Sequence, residues 1–108
     1  MSKRIIKDHE RILIEHLLRL AGADKMFSLP TMVEDLNDGG MGSIQLSRKG
    51  LHYGELILVQ YHDTDEQLIL IGLSKNEYGE LFDLDFWKVT FNPLIRYPKP
   101  EDLKQIEM

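Results

Sequence analysis

The chain has no cysteine, and only one tryptophan and four prolines among its 108 residues. The absence of thiols excludes a disulfide framework, a cysteine nucleophile and a cysteine-ligated zinc site. Long hydrophobic runs are also absent, since no stretch approaches the roughly 20 apolar residues that span a membrane. The apolar run within residues 1–8 is too short for a signal peptide. We therefore expect a cytoplasmic protein that has no membrane partner.

Positive charge is in deficit, because the chain has 13 Lys and Arg but 18 Asp and Glu, which gives a formal net charge of −5. This field repels the phosphates that dominate nucleic-acid affinity, so we expect no nucleic-acid partner. The hydrophobic fraction of 43% and the charged fraction of 29% are typical of a globular protein. The length suits a single domain, which we place at residues 1–108.

Apolar residues recur at helical spacing over residues 8–21, and charged residues lie largely on the other side of the helical wheel. The pattern predicts an amphipathic helix with Asp8 as its N-cap and Gly22 ending it in a left-handed conformation. The apolar stripe of this helix needs a sheet or a partner to cover it. Residues 101–106 are expected to form a last helical turn.

Between these segments the apolar residues follow the patterns of strands. The sequence thus predicts an α+β fold, in which the N-terminal amphipathic helix packs on a mainly antiparallel sheet of four to five strands. The first two strand candidates would form a hairpin with a glycine-rich connection, and the next two would form a hairpin with a short polar link. The extended segments are residues 31–36, 43–47, 56–61, 67–73 and 81–89.

The two central strands are nearly continuous apolar runs, which is typical of strands covered on both faces. We therefore expect Leu58, Ile69 and Ile71 to be nearly fully buried. One helix can cover only one face of such a sheet, so we expect a homodimer or the C-terminal segment to cover the other. A dimer interface would draw on Phe86 and Trp87, because aromatic anchors dominate such contacts.

Glycine is concentrated in one place, residues 37–43, where Gly39, Gly40 and Gly42 follow Asp38. Such a backbone turns sharply, adopts positive φ or lets another group come close. A phosphate-binding loop is disfavoured, because Gln45 stands where a dinucleotide fingerprint needs glycine and a strand, not a helix, is expected to follow. A structural hairpin turn is the simpler interpretation.

Metal binding is not expected from the sequence. A calcium loop in register with Gly39 would place Leu36 where an oxygen ligand is required. His9 and His16 lie about 10 Å apart along the predicted helix, too far to share one metal ion. His52 and His62 could meet an aspartate only if the sheet brings them together. We therefore predict no metal and no cofactor.

Asp83 and Asp85 alternate along one predicted strand and would share one face with Trp87. Their carboxylates would lie about 7 Å apart, near enough to perturb each other if partly buried. That spacing suits acid/base or cation-binding chemistry. A solvent-exposed edge strand that carries charges against unwanted pairing is the alternative.

Several segments together resemble a small bacterial family of uncharacterised single-domain proteins. The similar segments are residues 10–18, 37–44, 79–89 and 93–94. The resemblance implies a bacterial cytoplasmic origin and emphasises the glycine-rich turn and the Phe86–Trp87 region. Because the family has no assigned activity, the resemblance implies no reaction.

The favoured hypothesis is a non-enzymatic interaction or accessory domain, of the acidic immunity-protein kind that masks a basic surface on a partner protein. The alternative is a small enzyme or ligand-binding domain, in which carboxylates and a histidine surround a pocket near the glycine-rich turn. The sequence supplies no catalytic residue, and we therefore favour a domain that is not an enzyme. The candidate interaction or ligand-binding residues are Asp38, Gly39, Gly40, Gly42, Asp83, Asp85 and Trp87.

Overall fold

The computed structural model describes residues 3–106, in which one helix accompanies a seven-stranded antiparallel sheet. The sheet order is β1-β2-β3-β6-β5-β4-β7, and a short 3₁₀ turn, Pro100–Asp102, precedes β7. The elements are β1 Arg4–Ile5, α1 Asp8–Leu20, β2 Met32–Asp35, β3 Ile44–Gln45, β4 His52–His62, β5 Leu68–Asn76, β6 Leu81–Lys88 and β7 Lys104–Gln105.

The α+β class and the antiparallel pairing are confirmed, but the expected sheet of four to five strands is too small. The additional strands, β1 and β7, have two residues each, which is too short for an alternating pattern to show. β7 also corrects the helical turn expected over residues 101–106. Only the 3₁₀ turn forms there, because Lys104 and Gln105 pair instead with Gln60 and Val59 of β4.

The helix closely follows its predicted range, with Lys7 rather than Asp8 as the N-cap. The N–H of Lys7 donates to the Glu10 carboxylate at 2.9 Å, and Glu10 also pairs with Arg4 at 2.8 Å. Gly22 has φ +68°, as its predicted left-handed conformation requires. Arg4 contacts Asp35 as well, so one guanidinium joins β1, the helix and β2.

The hydrophobic core lies between the helix and one face of the sheet. From the helix it takes Leu13, Ile14, Leu17 and Leu18, all at most 1% exposed. The sheet contributes the inward-facing residues of the three long strands, among them Ile57, Val59, Ile69, Ile71, Leu73, Leu84 and Phe86. The C-terminal segment adds Tyr97, whose ring centroid lies 5.5 Å from that of Phe86.

The expected burial of Ile69 and Ile71 is confirmed, since both have no exposed surface. The expectation for Leu58 is wrong, because it lies on the opposite face and is only half-buried. Phe86 is 1% exposed and therefore cannot anchor a dimer interface as proposed from the sequence. Alternation along β6 explains this, because Phe86 faces the core while Trp87 faces outwards.

A buried ion pair fixes the C-terminal segment to the sheet. Lys88 faces the core from β6, and its ammonium contacts the carboxylates of Asp63 at 3.0 Å and Asp65 at 2.9 Å. Asp63 is 3% exposed and also accepts the backbone N–H groups of Ile95 at 2.8 Å and Arg96 at 3.0 Å. One carboxylate thus satisfies a buried cation and holds the chain that crosses the core.

Candidate functional site

The glycine-rich turn is built around the carboxylate of Asp38, which accepts the N–H of Met41 at 3.1 Å and that of Ser43 at 2.9 Å. Gly39, Gly40 and Gly42 have φ of +76°, +83° and +110°, so the left-handed backbone predicted for them is present. Such values are strained for residues with a side chain, which explains why glycine occupies these positions.

The turn is packed against the segment that follows β6. The N–H of Leu94 donates to the carbonyl of Gly40 at 3.0 Å, and a Cβ placed on Gly40 would lie 3.3 Å from the Pro93 side chain. These close contacts, together with the two bonds to Asp38, are those of a structural turn. The backbone of the turn also brings Ser43 beside β6.

Asp85 lies next to this turn, and Asp83 lies one pleat further along the same face. The Ser43 hydroxyl accepts the N–H of Phe86 at 2.8 Å and lies 3.2 Å from Oδ1 of Asp85. The hydroxyl of Ser74, which is fully buried, donates to the carboxylate of Asp83. The structure therefore brings Asp83 and Asp85 together on one face of the sheet, whereas the Asp38 carboxylate is used within the turn that carries Ser43.

Glu55 joins these aspartates, although its spacing from them along the chain does not indicate this. Glu55 pairs with Ser74, and its carboxylate lies over Gly72, where an added Cβ would be only 2.7 Å from Oε2. Gly72 in turn pairs with Asp85 on the neighbouring strand. The missing side chain at Gly72 therefore leaves the space that the Glu55 carboxylate occupies.

The charges of this cluster are poorly compensated. Burial raises the pKa of Asp83; the Ser74 hydrogen bond partly opposes this, and the neighbouring Asp85 adds to the increase. Burial also raises the pKa of Glu55, where His52 opposes the increase and Asp83 and Asp85 contribute to it. His52 is the nearest cationic candidate, with Nε2 3.7 Å from Oε1 of Glu55.

An apolar strip borders the carboxylates on the same face. Trp87, 47% exposed, pairs with Leu70, and its ring makes an edge contact with Phe91 at a centroid distance of 4.9 Å. Phe91 is 62% exposed and has φ +62°, an uncommon conformation for an aromatic residue. Strained backbone of this kind is concentrated at functional sites, which makes the aromatic pair notable.

We call this surface the open face. It is the side of the sheet opposite the helix, and it combines an acidic half with an apolar, aromatic half. The open face comprises Glu55, Leu58, Leu70, Gly72, Asp83, Asp85, Trp87 and Phe91.

Of the other histidines, His9 lies away from the open face. The ring of His9 packs edge-on against that of Tyr97, with a centroid distance of 4.3 Å, on the helix side of the sheet. Within residues 3–106, no His, Asp and Glu side chains form a group of three or more that could hold a metal ion. The described chain also contains no helix with the length and apolar character to cross a membrane.

Comparison with known proteins gives a family whose function is unknown. The searches of curated proteins and of solved structures returned no similar chain. A family model does match over residues 3–98, which is most of the chain, and its description is "Domain of unknown function (DUF6984)". This agrees with the resemblance to an uncharacterised family, and the chain belongs to the DUF6984 family.

Proposed function

We propose that this domain is a protein-interaction module whose open face binds a basic segment of a partner protein. The observation that carries the proposal is the position of Glu55, Asp83 and Asp85 beside the exposed Trp87 and Phe91. Carboxylates and aromatic faces are the two groups that recognise arginine and lysine side chains in proteins. The formal net charge of −5 would also steer a basic partner towards the domain.

The electrostatics of the free protein favour the binding of a cationic side chain at these carboxylates. The raised pKa values of Glu55 and Asp83 mean that their negative charges are disfavoured by burial and by neighbouring carboxylates. A cationic side chain bound between them would reduce that cost, and would find Trp87 within the same face. The binding free energy would then include relief of a repulsion that is present in the unbound domain.

Two copies of this chain are a poorer fit to the acidic half of the open face. A homodimer formed through it would bring carboxylates of both copies together, and like charges at an interface are unfavourable. We retain the homodimer and the cytoplasmic location as proposals. A basic partner protein, as in the masking role of an immunity protein, suits the charge of the open face better.

The single tryptophan makes the proposal directly testable, because Trp87 lies within the proposed surface. Titration with a hexa-arginine peptide at low ionic strength should change the Trp87 fluorescence and reach saturation. Added salt should weaken the binding, since the contacts are exposed to solvent. The double variant D83N/D85N should bind about three- to tenfold more weakly.

The matched control is D24N/E101Q, which removes the same formal charge at two exposed positions that are not part of the open face. If binding depends on the open face, this control should bind nearly as well as the wild type. Equal weakening in both double variants would show that net charge alone attracts the peptide. That result, or an unchanged fluorescence at low salt, would contradict the proposal.

A small enzyme or ligand-binding domain that uses the same carboxylates is the second candidate. The raised pKa of Asp83 beside another carboxylate favours it, since such pairs occur at acid/base sites. A screen of small polar metabolites by NMR would test it. Shifts at Glu55, Asp83 and Asp85 that are lost in D83N would support it, and shifts from basic peptides alone would favour the interaction module.

A further inference from the structure

A cavity of about 400 Å³ lies away from the open face, between the loop that follows the helix and the ends of β3 and β6. Its volume is within the range of small-molecule sites, about 300–1,000 Å³. Phe27, Leu29, Leu46 and Leu81 supply apolar surface to its lining. Leu46 and Leu81 are also core residues, 6% and 3% exposed, so this part of the lining is fixed by the fold.

The lining also contains polar groups, and Glu80 is one of them. It is the only ionisable residue among the described residues that line the cavity, which otherwise offers the hydroxyls of Ser28 and Ser47. A lining of this kind combines an apolar surface with one anionic group and two small hydrogen-bonding groups.

The carboxylate of Glu80 is held by a buried asparagine. Nδ2 of Asn76 donates to Oε1 of Glu80 at 3.0 Å and to the carbonyl of Lys49 at 2.8 Å. Oδ1 of Asn76 accepts the N–H groups of Tyr78 and of Glu80 itself, both at 2.9 Å. Asn76 is 1% exposed, so four hydrogen bonds fix both this side chain and the turn that carries Glu80.

We infer that this cavity binds a small organic cation, namely an amine with an apolar body. The apolar part would contact Leu46, Leu81 and Phe27, and the ammonium would donate hydrogen bonds to Glu80. A charge-assisted hydrogen bond to a pre-positioned carboxylate is stronger than a neutral one, which gives the site a preference for cations. The inference is independent of the proposed function, because none of the residues of the open face lines the cavity.

The test uses 2-phenylethylammonium as the probe and ¹⁵N–¹H NMR of the whole chain as the readout. We expect saturable shifts of the amide signals of Leu46, Gly79 and Leu81, with a dissociation constant of about 1 mM for a ligand of this size. The neutral analogue 2-phenylethanol should bind about tenfold more weakly, since it lacks the charge. This comparison needs no variant and is unaffected by any folding defect.

The variant E80Q should lose about tenfold in affinity for the ammonium probe while keeping its affinity for the alcohol. Glutamine retains an oxygen that can accept from Asn76, so the turn should stay folded. The control E77Q removes one charge from the same turn at a residue that does not line the cavity, and it should bind the probe like the wild type.

Equal affinity for the amine and the alcohol, or equal affinity in E80Q and the wild type, would overturn the inference. Shifts confined to Asp85, Trp87 and their neighbours would also overturn it, because they would place the cation on the open face. That last outcome would leave the proposed function intact. Absence of any shift up to about 10 mM probe would likewise show that the cavity is not a cation site.

Discussion

Replacing Asp63 by alanine tests the buried ion pair that joins the C-terminal segment to the sheet. The carboxylate accepts from the Lys88 ammonium and from the backbone N–H groups of Thr64, Ile95 and Arg96 at 2.8–3.0 Å. Each hydrogen bond to a charged group contributes about 1.5–3 kcal/mol, but these contributions do not add. Because truncation leaves buried donors unpaired, we expect D63A to lose about 3–5 kcal/mol of unfolding free energy.

Urea unfolding followed by circular dichroism measures this loss. A domain of this size has a total stability of about 5–15 kcal/mol, so D63A should have a much lower urea midpoint with an unchanged slope. The matched control is Asp65→Ala, which removes the other carboxylate beside Lys88. Its side chain is 33% exposed, so its loss should be much smaller. A loss below about 1 kcal/mol in D63A would refute the argument for a buried, fully used carboxylate.

The pH dependence provides an independent check on the same residue. Burial alone would raise the pKa of Asp63, but the N–H of Ile95 and the Lys88 ammonium outweigh it and hold the pKa below its usual range. A lowered pKa in the folded state stabilises the protein above the unfolded value of about 3.9, and this contribution is lost as the pH falls below it. The difference in unfolding free energy between the wild type and D63A should therefore become smaller below about pH 4.

Gly40→Val should lower the unfolding free energy by about 1–3 kcal/mol, because φ is +83° and Pro93 is close. Gly54→Ala should change the unfolding free energy little, because there is open space around Gly54. Asp83→Asn should raise the melting temperature at pH 7 but not at pH 3. The raised pKa of Asp83 makes the ionised form destabilising, so stability falls as the pH rises above about 4; a lower melting temperature at pH 7 would contradict this. Ile69→Ala should lower the unfolding free energy by about 2–5 kcal/mol, as measured by thermal unfolding. An unchanged melting temperature would contradict the burial of Ile69. If a homodimer forms through the open face, high salt should strengthen it, and a monomeric mass by light scattering at about 100 µM in both low and high salt would argue against it.

Residues whose pattern repeats over a whole element could be predicted from the sequence. The helix has five apolar residues at regular spacing, and both of its ends lie within one residue of the predicted ones. β5 has a nearly continuous apolar run and begins one residue after its predicted start, but it extends to Asn76, three residues beyond the predicted end, because polar residues continue the strand there. The glycine-rich turn could be predicted for a different reason, because three glycines so close together indicate positive φ. In each case a local preference agrees with the tertiary structure.

The position of Glu55 could not be predicted, because it depends on an irregularity in the sheet. Simple alternation would place Glu55 and Ile57 on the same face of β4. A register shift between them pairs Glu55 with Ser74 and Ile57 with Leu73, so one faces outwards and the other faces the core. A second irregularity, between Leu73 and Lys75, lies where β5 pairs with Leu84 and Leu81 of β6. β-Bulges of this kind redirect side chains and often lie beside functional sites.

Lys88 was also missed, although the sequence contained a signal for it. It follows Leu84 and Phe86 at the same alternating positions of β6, so a charged residue occupies a place on the buried face. A buried lysine needs an acidic partner, but its partners lie 23 and 25 residues earlier in the chain, at Asp65 and Asp63. The pairing follows from the fold and could not be obtained from spacing along the chain.

Charged groups on the two faces of the sheet have opposite effects on stability, and this contrast bears on function. On the core face, hydrogen bonds and Lys88 hold the pKa of Asp63 below its usual range despite burial, so its charge contributes to stability. On the open face, burial and neighbouring carboxylates raise the pKa of Asp83 and Glu55, so their charges reduce stability. Buried charge that stabilises is explained by the fold alone, whereas for carboxylates that destabilise a surface beside exposed aromatic rings we propose a role in binding. D83N therefore separates the two roles, because it should increase the stability of the free domain while weakening its affinity for a basic peptide.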